Sequence, residues 1–187
     1  MVYGCSSKPY TIYHKPYTNF INQQKLRFAS MRILMVCLGN ICRSPLAEGV
    51  LETKARQKGL KWTVDSAGTN NKFHLGEAPH PLSQKVASEH SVDISTQCAR
   101  AFEPDDFDRF DKIYAMSSDI VADMKKIARK KFDAAKVSLL MDEIYPGENV
   151  DVPDPYYGDE PDYQEVYIMI NEACDKIIEK YGYLQTA

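Results

Sequence analysis

The chain has 187 residues, 44% of them hydrophobic and 26% charged, which is ordinary globular usage and suits one domain rather than two. A formal net charge of −3 excludes a general attraction for DNA or RNA. No apolar run is long enough to cross a bilayer, and the first residues lack the hydrophobic stretch of a secretory leader. The five cysteines, Cys5, Cys37, Cys42, Cys98 and Cys174, are odd in number and irregularly spaced, with no CxxC pair. That usage suggests neither a disulfide framework nor a zinc site, so the expectation is a reducing, cytoplasmic setting with no metal and no cofactor.

Residues 1–30 are tyrosine-rich, carry lysines and prolines, and show no sustained hydrophobic periodicity. They read as an N-terminal extension with no packed core of its own, either a disordered tail or the product of a start placed too early, since Met31 directly precedes the first strand pattern. A genuine regulatory or targeting extension is the other reading. The domain is therefore expected over 31–187.

Ile33, Leu34, Met35 and Val36 form a short apolar run expected to be a strand buried on both faces. Ser44-Pro45 predicts a helix start, with the serine as cap and the proline at the first helical position. That helix is expected to run to about Gly59. Trp62–Asp65 reads as a second strand, followed by a long loop holding Gly68, Gly76, Pro79 and Pro81, then a helix near Leu82–His90. Lys112–Met116 is the third strand and Ser118–Lys130 the next helix, whose cluster Lys125, Lys126, Arg129, Lys130 and Lys131 reads as a solvated basic face. Val137–Leu140 is the fourth strand. In the last helix Tyr163, Val166, Ile170, Ala173, Ile177 and Tyr181 recur at spacings of three and four. Strands alternating with helices predict an α/β fold, a four-stranded parallel sheet with helices on both faces. Such sheets bind ligands beyond the carboxyl ends of their strands, and the chain leaves its first strand at Cys37.

The segment Cys37-Leu38-Gly39-Asn40-Ile41-Cys42-Arg43-Ser44 lies between that strand and the first helix. Six residues there can curl so that several backbone N–H groups, with the helix N-terminus, face one point and make a concave anion site. Gly39 and Asn40 tolerate the positive φ angles of such a curl. Arg43 can hold two phosphate oxygens at once through its planar fork. A thiol at the base of this positive nest is expected to be a thiolate near neutral pH, poised for in-line attack on a held phosphorus. Expelling an oxygen leaving group then requires a proton donor. On spacing alone Asp151, Asp154, Asp159, Glu160 and Asp162 are all candidates.

The stretch Val36–Glu48, VCLGNICRSPLAE, resembles the phosphate loop of the low-molecular-weight protein-tyrosine phosphatases. Asp65-Ser66-Ala67-Gly68-Thr69 followed by Phe73-His74-Leu75-Gly76 resembles that family's second loop, and Asp154-Pro155-Tyr156-Tyr157-Gly158 its general-acid loop. The resemblance runs from about residue 31 to the end. It implies a three-layer αβα fold and hydrolysis of phosphotyrosine through a phosphocysteine, with Cys37 as nucleophile, Arg43 as phosphate ligand and Asp154 as general acid. Phosphotyrosine-bearing proteins would be the partners, a tyrosine kinase possible among them. It also implies that Ser44 hydrogen-bonds the departing sulfur, that Asn40 and Ser66 brace the loop, and that Leu38, Ile41, Phe73, Tyr156 and Tyr157 wall the substrate cleft. Cys42 could by the same resemblance form a reversible disulfide with Cys37, or could simply fill the core.

Cys98 and Cys174 are expected as core fillers, and His74 and His90 in surface or packing roles. Two relatives on the same scaffold are rivals. A protein-arginine phosphatase is expected to carry threonine where this chain has Ile41, and an arsenate reductase needs a relay of downstream cysteines.

Overall fold

The computed structural model describes residues 30–70, 72 and 74–182. The expectations for residues 1–29 and for Phe73 lie outside that set. Four strands, β1 (Arg32–Cys37), β2 (Thr63–Gly68), β3 (Lys112–Ala115) and β4 (Val137–Leu139), form one parallel sheet in the order β2-β1-β3-β4. Between them run α1 (Arg43–Gln57), α2 (Pro81–Glu89), the one-turn α3 (Asp106–Arg109) and α4 (Ser118–Ala128), and α5 (Glu160–Gly182) follows the sheet. The short α3 and two 3-10 turns, at Arg129–Lys131 and Leu140–Glu143, fall in stretches with no apolar period long enough to mark them.

Alternation along β1 splits the interior into two layers. Ile33, Met35 and Cys37 face one core, built with Leu46, Val50 and Leu51 of α1, Val86 of α2, and Tyr163, Val166, Ile170 and Ile177 of α5. Leu34 and Val36 face the other, built with Phe102, Phe107 and Phe110 and with Ile120, Met124 and Ala128 of α4. All of Ile33–Val36 is fully buried, which is why the run reads as continuous rather than alternating. This is the expected three-layer α/β arrangement.

β1 is flanked by β2 on one side and β3 on the other, so the chain order reverses at its edge. In register, Cys37 lies opposite Gly68 and Val36 opposite both Ala67 and Ala115. Three strand ends therefore meet at Cys37, the crevice where open α/β sheets take ligands.

The start of α1 differs from expectation. Arg43 is the first helical residue and Cys42 precedes it without a side-chain cap, so Ser44 and Pro45 sit inside the first turn. The Ser44 hydroxyl is drawn away from capping because it bonds into the loop behind it. β2 begins one residue after Trp62 and continues to Gly68, carrying Ser66 into the buried interior beside the loop.

Candidate active site

The loop after β1 curls around the Cys37 sulfur. Asn40, at φ 57°, turns the chain and directs its backbone N–H to Cys37 Sγ at 3.2 Å. Ser44 Oγ lies 3.0 Å from the same sulfur. Arg43 is 5% exposed, its Nη1 donating to the Val152 carbonyl at 3.2 Å and its Nη2 to the Asp154 carboxylate. Burial of a guanidinium costs solvation and requires such partners.

Asp154 reaches this point because its loop is pinned at the strand end: Val152 N–H donates to the Met116 carbonyl at 2.8 Å, just past β3. Tyr156 N–H bonds back to Asp154 Oδ1 at 3.3 Å, and Gly158 N–H to the Pro155 carbonyl at 2.8 Å, closing the turn. Three of the other four loop acids are engaged elsewhere. Asp151 accepts from the Ser118 N–H at 2.8 Å at the start of α4. Asp162 accepts from the Asp159 N–H at 2.8 Å near the start of α5, and Glu160 pairs with Lys85. Of the five acids that spacing left open, Asp154 alone lines the cleft with Cys37 and Arg43.

The cleft encloses about 300 Å³. Leu38, Gly39, Ile41, Cys42, Asn70, His74, Tyr156 and Tyr157 line it. His74, expected in a surface or packing role, packs at the wall of the cleft itself. Its ring meets Tyr156 edge-on at 5.8 Å, and its Nδ1 lies 2.8 Å from Glu77. Behind Tyr156 stands His80, which stacks on Tyr163 at 5.2 Å. Burial lowers the His80 imidazole's affinity for a second proton and suits its place among rings. Tyr157 is 96% exposed at the lip.

Cys42 is buried with Sγ 3.5 Å from the Tyr163 hydroxyl, and burial pushes its thiol up to about 11. Cys37 and Cys42 are both free thiols here. Cys174 fills the core as expected, but Cys98 is exposed, because it lies in the irregular chain before Arg100 and not on a packed element. Neither lines the cleft.

A polar lattice supports the loop from below. The backbone N–H of Arg100 can only donate, and it bonds Asn40 Oδ1 at 2.8 Å. That assignment leaves Asn40 Nδ2 as donor to Ser44 Oγ at 3.0 Å and to Ser66 Oγ at 2.8 Å. Ser44 Oγ accepts from Asn40 and keeps its own hydrogen to donate, so a sulfur anion at Cys37 would meet two donors, this hydroxyl and the Asn40 N–H. The bracing expected of Asn40 and Ser66 is thus present in the geometry. Arg100 was not foreseen: it stands 60 residues from Asn40, held by its guanidinium between Asp65 and the fully buried Asp106, and no local pattern marks it.

Gly68 closes the floor. A Cβ there would stand 2.7 Å from the Leu38 carbonyl oxygen, 3.0 Å from Gly39 C and 3.1 Å from Asn40 N, all main chain of the loop. Gly68→Ala should therefore push the loop off the sheet, costing about 1–3 kcal/mol of stability and most of the activity. Thermal unfolding together with hydrolysis of p-nitrophenyl phosphate checks this; a variant with wild-type values on both would show that the loop yields freely.

A profile of the family described as "Low molecular weight phosphotyrosine protein phosphatase" matches residues 32–183. The chain belongs to this family. It is 38% identical over 151 residues to a low molecular weight protein-tyrosine-phosphatase of Streptomyces coelicolor, covering 79% of this chain and 91% of that one. It is 33% identical over 150 residues to the low molecular weight phosphotyrosine protein phosphatase of Gallus gallus, covering 79% and 94%. Among solved structures, YfkJ from Bacillus subtilis superposes with a TM-score of 0.74 at 30% identity, covering 82% of this chain and 96% of its own. Wzb from Vibrio vulnificus, solved in complex with benzylphosphonate, superposes with a TM-score of 0.72 at 28% identity, covering 80% and 98%. As a low-molecular-weight phosphatase the chain is a cysteine-based hydrolase of the α/β class, and phosphoproteins are its class of substrate. Among the described residues no helix is long and apolar enough to cross a membrane.

Proposed function

We propose that this phosphatase hydrolyses phosphotyrosine on proteins, and small aryl phosphates, through a phosphocysteine on Cys37. The observation that carries this reading is the convergence of Cys37, Arg43 and Asp154 on one cleft lined by Tyr156 and Tyr157. Arg43 and the loop amides hold the phosphoryl oxygens, which take the place of the Asp154 carboxylate on the guanidinium. The Cys37 thiolate attacks phosphorus, an S–P bond forms, the ester P–O bond breaks, and Asp154 gives its proton to the departing phenolate. In the second step Asp154 takes a proton from water, the water oxygen bonds phosphorus, and the thiolate leaves with the Ser44 O–H donating to it. Leu38, Ile41, Tyr156 and Tyr157 flank the ring of the substrate, and the benzylphosphonate complex of Wzb supports an aryl occupant of a related cleft.

Residues 31–187 form the catalytic unit in this reading, supported by the family match over 32–183. Its partners are tyrosine-phosphorylated proteins of the cytoplasm, a tyrosine kinase among the candidates. Rapid mixing with p-nitrophenyl phosphate in excess chelator should give a burst of nitrophenolate, and acid quenching should trap phosphate on Cys37. Absence of both would overturn the covalent route.

Ile41 favours this substrate over phosphoarginine. It is 6% exposed and lines the cleft with an apolar face, which suits a phenyl ring better than a guanidinium. Matched phosphotyrosine and phosphoarginine peptides should differ in kcat/KM by at least about tenfold in favour of phosphotyrosine, equivalent to about 1.4 kcal/mol. The reverse preference would transfer the chain to the arginine-directed class.

A further inference from the structure

Glu48 lies on α1, one turn beyond Ser44, and no step of the reaction above uses it. Its Oε2 accepts from Ser66 Oγ at 2.5 Å. Ser66 is 5% exposed and its oxygen is already taken by the Asn40 Nδ2 donor at 2.8 Å, so its hydroxyl hydrogen must find another acceptor. Glu48 supplies it. Asn40 in turn donates to Ser66 and to Ser44, whose hydroxyl lies 3.0 Å from the Cys37 sulfur and can donate to it as an anion.

We infer that Glu48 is a positioning residue whose carboxyl oxygen, by accepting the Ser66 hydroxyl, keeps the Ser66 oxygen turned to Asn40 and so steadies the amide, oriented by Arg100, that supports Ser44 beneath Cys37. The inference rests on the reading of Cys37 as the nucleophile. Without an acceptor at position 48, the Ser66 hydrogen turns toward Asn40 and meets a donor. The amide must then tilt or release one serine, and Ser44 loses its support beneath Cys37.

The oxygen, more than the charge, performs this task. Burial pushes the Glu48 carboxyl up to about 7, partly opposed by its bond from Ser66. Asp65 and Glu52 raise it further and Arg100 lowers it, and these are the charged groups that face it. Near neutrality the carboxyl is therefore neutral for part of the time, and its carbonyl oxygen still accepts from Ser66. Glutamine at this position keeps an accepting oxygen; methionine keeps the volume and removes it.

The test reads the pH dependence of inactivation by iodoacetate, with kcat and KM for p-nitrophenyl phosphate, in the full chain and in Glu48→Met, Glu48→Gln and Ser66→Ala. Glu48→Met and Ser66→Ala should each move the half-maximal inactivation rate about half to one pH unit upward and lower kcat about three- to tenfold at nearly constant KM. Glu48→Gln should restore most of both. The double variant should be no worse than the more impaired single one, because both substitutions cut the same chain. A Glu48→Met profile superimposable on wild type would overturn the inference, as would a Glu48→Gln variant as impaired as Glu48→Met. Either result leaves the functional reading standing. A wild-type enzyme whose Cys37 resists iodoacetate until well above neutrality would instead remove the reading on which the inference rests.

Discussion

Replacing Cys37 by serine should lower hydrolysis of p-nitrophenyl phosphate on the order of 10⁴-fold or more, with the fold and oxyanion binding intact. The loss is large because the substitution removes the covalent route, not one contact within it. The Asn40 N–H and the Ser44 hydroxyl can both donate to the sulfur anion that attacks phosphorus. A serine hydroxyl in the same place remains protonated and is a far weaker nucleophile than a thiolate. Serine is small enough to leave Arg43 and the loop amides in position, so tungstate or vanadate should still protect the variant against thermal unfolding. Residual activity within about a hundredfold of wild type would show that another group carries the phosphoryl transfer.

The second large effect is expected at Asp154. Asp154→Ala should slow kcat for aryl phosphates about 10²- to 10⁴-fold, and the slowing should grow as the leaving phenol becomes less acidic. The carboxylate accepts directly from Arg43 Nη2, so its removal also takes the ion-pair partner from the guanidinium. Phosphate and vanadate should therefore bind the variant at least as tightly as wild type. Steady-state kinetics over phenols of graded acidity, with inhibition constants for vanadate, read both consequences. A variant as fast as wild type on poor leaving groups would move the acid role to another residue. Asp151 and Asp162 are unsuited to it, since neither lines the cleft and each is held near the start of α4 or α5.

Much of the fold was legible along the chain because its signals are local. The run Ile33–Val36 predicts a strand buried on both faces, and the structure buries it completely. The three-and-four spacing from Tyr163 to Ile177 marks the inward face of α5, and those residues lie in one core. The start of α1 was misjudged for a tertiary reason: Ser44 looks like a cap by residue type, yet Asn40 and Cys37 claim its hydroxyl. Cys98 was misjudged because a small apolar residue carries no sign of whether the irregular chain around it is covered. His74 lies in the stretch that resembles the family's second loop, but its place on the cleft comes from a turn closing over Gly39 and no local pattern shows that.

The order of residues from Val36 to Ser44 was sufficient to specify a strand, a curled loop and a helix N-terminus, and with them the nucleophile and its arginine. These groups lie within one turn of chain, where backbone geometry alone brings them together. The partners of that loop come from far away: Ser66 at 26 residues from Asn40, Arg100 at 60, Val152 at 109 from Arg43 and Asp154 at 111. Which of five nearby acids faces the arginine, and which oxygen ends the chain of donors below the sulfur, follow from the meeting of three parallel strand ends. Contacts over such separations leave no period or spacing in the chain, so only the packed sheet could decide them.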